Sequence, residues 1–143
     1  MAATAHLSDV VKTIRVENAA VAGTTDVTSD AVDTQGFDGA RFIWIVGDVT
    51  SGATLQAVLY YDTNDDASGG TAQVTGTAIT AGASDYDNEM ICVDAYRPKG
   101  RYVYSVLDRG TQNAVVDACI CELYNFRNAP VTQHASLSDL TKG

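Results

Sequence analysis

A chain of 143 residues with 45% hydrophobic content is the size of one domain and can bury a core without disulfides or metals. Its longest apolar runs fall far short of the about 20 residues that a membrane-spanning helix needs, so it reads as soluble. Its formal net charge of −9, from 18 acidic against 9 basic residues, disfavours free nucleic acid, whose binding depends on neutralising phosphates with Lys and Arg.

In chain order, Met1 to Asp9 lacks the positive start and apolar centre of a secretory signal, which predicts a cytoplasmic product with residues 1–9 as an N-terminal arm. Val10 to Val16 reads as a first strand, with Val10, Ile14 and Val16 on one face. Asp26 to Val32 is a weaker strand whose Asp and Ser residues predict an exposed edge. After the turn Asp33 to Gly39, Arg41 to Val46 is continuous in β-formers, holds the only tryptophan and predicts a central strand. Gly47 to Gly52 then reads as a hairpin loop, pairing that strand with Thr54 to Tyr61.

Asp62 to Gly70 is a polar loop, and Thr71 to Thr80 a weak, irregular strand. Another loop, Ala81 to Asn88, leads into strands over Glu89 to Ala95, Tyr102 to Leu107 and Ala114 to Phe126. Asp108 to Asn113 reads as a hairpin between the last two. Ser136 and Asp139 have the spacing to cap one helical turn, but residues 131–143 read better as a flexible C-terminal tail. No dozen residues carry a sustained helical stripe, so residues 10–130 are expected to be one all-β domain of about eight strands, a sandwich, jelly roll or closed barrel.

The residues offer little chemistry. Both histidines, His6 and His134, fall in the expected tails, so no serine or cysteine has a base within reach for nucleophilic catalysis. Cys92, Cys119 and Cys121 lie in apolar runs and are expected to be small buried hydrophobes in a reducing compartment rather than metal ligands. Asp62-Thr63-Asn64-Asp65-Asp66 begins like a calcium loop, but Ala67 stands where the sharp turn needs glycine and Gln73 where a bidentate glutamate is needed. No catalytic, cofactor or metal site is therefore expected. The remaining candidates are contact residues: the basic group Arg97, Lys99 and Arg101 followed by Arg109, and the tyrosines Tyr96, Tyr102 and Tyr104 beside them, a composition favoured at protein interfaces.

Four stretches also carry a resemblance: Thr24 to Gly39, Val46 to Ala53, Tyr96 to Val103, and Arg127 to Thr132. Together they resemble the capsid cement or decoration proteins of tailed bacteriophages, most closely the jelly-roll cement proteins of short-tailed phages of the Bordetella type. The resemblance implies a jelly-roll sandwich on the outside of the head, made in the host cytoplasm, bridging major capsid proteins and resisting the pressure of packaged DNA. It further implies self-association, with a dimer as the default for such a part and a trimer as its rival. A tail or head-to-tail component and a carbohydrate-binding sandwich using surface tyrosines are the alternatives.

Overall fold

The computed structural model describes residues 5–83 and 85–143; the first four residues of the expected arm, and Ser84 in the expected loop before Glu89, lie outside the described residues. Among the described residues, one helical turn, α1 (Leu7–Val10), precedes eleven strands: β1 (Lys12–Glu17), β2 (Ala20–Gly23), β3 (Val27–Thr28), β4 (Val32–Asp33), β5 (Phe37–Val49), β6 (Thr54–Asp62), β7 (Thr71–Thr75), β8 (Ile79–Thr80), β9 (Met90–Tyr96), β10 (Tyr102–Gly110) and β11 (Ala114–Phe126). They form an all-β sandwich of two antiparallel sheets. One runs β1-β11-β5-β9 with β2 also on β11; the other runs β3-β10-β6-β7, with β4 on β10 and β8 on β6.

With β3 and β4 taken as one interrupted strand, β7 and β8 as another, and β2 as an addition, the winding is first-eighth-third-sixth over second-seventh-fourth-fifth. That order is a jelly roll of eight runs. The expected strand count is met once the interruptions are merged.

The core follows from alternation. Phe42, Trp44 and Val46 of β5 and Cys119, Cys121 and Leu123 of β11 point inward from one sheet. Leu55, Ala57 and Leu59 of β6 and Val103 and Leu107 of β10 meet them from the other. Burial of these side chains is the main drive to fold, at about 25 cal/mol per Å² of apolar surface removed from water.

Two expected hairpins are corrected. β5 does not pair with β6, nor β10 with β11; each connection crosses from one sheet to the other. β5 pairs instead with β11 from Ala114↔Val49 to Phe126↔Phe37, and β6 with β10 from Tyr102↔Asp62 to Gly110↔Thr54. Alternation says which residues face a core, and it is satisfied equally by strands lying side by side or facing each other across it. Here the inward rows of β5 and β6 enter one buried core from opposite sheets, and their turn is pinned between sheets. Thr50 N–H donates to the Asn113 carbonyl (2.9 Å) and Gly52 N–H to the Ala81 carbonyl (2.7 Å). Gly52 has a φ of +87°, a conformation glycine adopts without steric cost.

Three further expectations change. Ser29, in the segment expected to be exposed, is buried and accepts the Ser105 N–H (2.9 Å). Cys119 and Cys121 are buried as expected, but Cys92 is exposed on the outer face of β9, because residues 90, 92, 94 and 96 point away from the core. The closing segment lies along the N-terminal arm. The Gln133 side chain accepts the Thr13 N–H (3.0 Å) and donates to the Ser8 and Val11 carbonyls, Ser136 Oγ accepts the Arg15 N–H, and Lys142 pairs with Asp9. Among the described residues, no helix is long and apolar enough to cross a membrane.

Candidate interaction surface

One end of the sandwich gathers most of the sequence candidates. β9 ends at Tyr96, β10 begins at Tyr102, and the loop Arg97 to Arg101 crosses between the sheets there. Its backbone is anchored on both sides. Arg97 N–H donates to the Asp38 carbonyl (2.6 Å), Thr34 N–H and Oγ1–H both donate to the Arg101 carbonyl (2.8 and 2.7 Å), and the Gln73 amide bridges the Arg97 carbonyl and the Lys99 N–H. Arg97 itself has a φ of +56°, a left-handed geometry that few non-glycine residues adopt, so this bend is held by those bonds.

The loop, the Thr34–Asp38 turn and Arg127 beyond β11 enclose an open cleft of about 530 Å³, lined among others by Gln35, Phe37, Asp38, Arg97, Arg101 and Arg127. Arg101 forms a two-pronged pair with Asp33 (3.1 and 2.8 Å) and also donates to the Gln35 amide (3.0 Å). The Arg101 guanidinium holds the Asp33 carboxyl below its usual range, chiefly through those hydrogen bonds. Arg127 pairs with Asp38 (3.0 Å). Arg97 is exposed, and its guanidinium carbon stands 5.2 Å from the Tyr96 ring centre; Arg101 stands similarly 5.3 Å over Tyr102. Among the described residues neither Arg97 nor Lys99 has a carboxylate partner.

Five of the seven expected contact residues, Tyr96, Arg97, Lys99, Arg101 and Tyr102, thus share one end. Two do not. Arg109 is buried (7% exposed), and its guanidinium donates to the carbonyls of Thr25 (2.7 Å), Val21 (3.0 Å) and Ala114 (2.5 Å), so it ties β2 and the approach to β3 onto the sandwich rather than meeting a partner. Tyr104 is 4% exposed. It lies on the outer side of β10, but its ring stacks on Tyr60 with centres 5.2 Å apart, and its hydroxyl accepts the Gly70 N–H as the 63–70 loop folds over it. Sequence reasoning also missed Arg127 and Phe37, which only the closing of β11 against β5 brings to the cleft.

The calcium-like segment is a set of side-chain-capped turns. Asp62 Oδ1 accepts the Thr63 and Asn64 N–H groups, and Asp66 Oδ1 accepts that of Ser68. Among the described residues, no group of three or more His, Cys, Asp or Glu is placed to hold a metal ion.

No family model matches this chain, and neither does any curated protein. Among solved structures it is similar to a chain from the work described as "Bacillus endospore appendages form a novel family of disulfide-linked pili", at 14% identity and a TM-score of 0.49, over 88% of this chain and 97% of that one.

Proposed function

We propose that this chain is a non-enzymatic virion subunit, a capsid cement protein. It sits on the outside of a phage head, bridges neighbouring major capsid proteins and stabilises the shell against packaged DNA. The observation that carries the reading is the end formed by Tyr96 to Tyr102, where aromatic rings and cationic groups collect on a body whose net charge is −9. Aromatic residues and arginine are the side chains that most often anchor protein interfaces. An acidic surface on the major capsid protein is the complementary partner. The phage-cement resemblance of the four stretches named above supports the same reading, as does the jelly-roll winding that it implies.

Many copies on a symmetric shell add their contacts, so each interface needs only modest affinity. Self-association into a dimer belongs to this reading, with a trimer at a local threefold axis as its rival. The test is to add the purified protein to heads stripped of it, sediment them, and record their rupture temperature. The protein should co-sediment and raise that temperature. Lys99→Glu with Arg101→Glu should bind at least about tenfold more weakly. Full head occupancy by that double variant would remove the docking end from the account.

A further inference from the structure

Among the described residues, four edges bound the two sheets, and three are interrupted or covered. β3 and β4 are two residues each, and β7 and β8 are five and two. The amides of Thr13 and Arg15 on β1 are met by the side chains of Gln133 and Ser136. Such devices keep strand edges from pairing with other chains. The fourth edge, β9, is seven residues, Met-Ile-Cys-Val-Asp-Ala-Tyr, without proline, lysine or glycine.

The phase of its ladder is fixed at both ends. Val46 N–H donates to the Glu89 carbonyl (3.0 Å) and Arg97 N–H to the Asp38 carbonyl (2.6 Å). Antiparallel pairing alternates, so Ile91, Val93 and Ala95 turn their main-chain groups to β5. Met90, Cys92, Asp94 and Tyr96 turn theirs outward. Among the described residues, no hydrogen bond reaches the main chain of those four from the open side, and all four are exposed.

We propose that this edge takes a second copy of the same chain, β9 against β9, antiparallel about a twofold axis through Val93, so that two sheets become one. The surface thereby named is that of the self-association in the function proposed above, and to that extent the inference rests on it. Keeping inward side chains inward restricts the register to steps of two. The register centred on Val93 uses the whole strand and sets Met90 opposite Tyr96 and Cys92 opposite Asp94. Centred on Asp94, two carboxylates would face each other; centred on Cys92, Tyr96 would lose its partner. Like charges directly opposite are unfavourable in a sheet.

The Val93 register also brings Glu89 of each copy level with Arg97 of the other, at both ends. Both residues are exposed, and neither has an ion partner among the described residues. A twofold contact of this kind is self-complementary, which is what a second copy requires and an arbitrary strand does not supply.

The experiment measures the mass of the isolated protein in solution across concentration. The wild type should reach twice 15.1 kDa. Cys92→Pro removes an outward N–H without touching the β5 ladder, and should be monomeric with an unchanged circular dichroism spectrum. Glu89→Arg should weaken dimerisation by about tenfold, and adding Arg97→Glu should restore it. That swap leaves the strand intact and so decides the matter even if the proline variant fails to fold. A wild-type monomer at all concentrations, or a swap that fails to rescue, overturns the proposal. Head attachment is read separately, on Lys99→Glu with Arg101→Glu, so either idea can fail alone.

Discussion

Trp44 Nε1 donates a 2.9 Å hydrogen bond to Ser105 Oγ across the interior, joining the central strands of the two sheets at a point where both side chains are fully buried. The serine is fully used. Its hydroxyl donates to the Val58 carbonyl (2.9 Å), and its N–H donates to Ser29 Oγ. Among the described residues, no buried side-chain nitrogen or oxygen lacks a partner.

Replacing Ser105 with alanine would leave the indole N–H without an acceptor in the core. An unsatisfied buried donor costs about 1–3 kcal/mol, and the small cavity adds to it. Ser105→Ala should therefore lower unfolding stability by about 2–3 kcal/mol in urea, with an unchanged m-value. A loss below about 0.5 kcal/mol would mean that the tryptophan finds another partner.

Arg109 leads to a second prediction. Arg109→Ala strands the Val21, Thr25 and Ala114 carbonyls together, and should cost about 1–3 kcal/mol and loosen β2. Arg109→Lys keeps the charge but not the planar fork, and should recover less than half of that loss. Equal stability of the lysine variant and the wild type, by chemical denaturation, would contradict the structural role.

The strands were legible because β-formers and turn residues alternate sharply along the chain, and Ala114 to Phe126 coincides with β11. Their pairing was not, since parity does not distinguish a neighbour from an opposite strand. The parity of Arg109 was readable. It shares a face with Val103 and Leu107, opposite Tyr102, which marks it as inward. Nothing local signalled the burial of Tyr104, which depends on a loop more than thirty residues away. The docking end was half legible: its basic run was visible, whereas Phe37 and Arg127 arrive only through long-range pairing.

The terminal segments predict a pH effect. Pairing with Lys142 holds the Asp9 carboxyl below its usual value near 3.8, chiefly through the direct hydrogen bond. A depressed carboxyl contributes above its unfolded value and loses that contribution as pH falls through the lower folded one. Residues 140–143 should therefore loosen only below about pH 4. Asp9→Asn should reproduce the loosening at neutral pH. Thr13 and Arg15 amides should stay protected in both cases, because Gln133 and Ser136 hold them. Amide exchange by NMR measures this, and exposure of Thr13 together with the tail would contradict it.

The most direct measurement is a cryo-electron microscopy reconstruction of virions that carry this chain. The cement reading predicts sandwich-shaped density on the outer surface of the head, with the end that carries Lys99, Arg101 and Tyr102 against major capsid proteins. Density confined to the tail or the head-to-tail junction, or a bare outer shell, would contradict it.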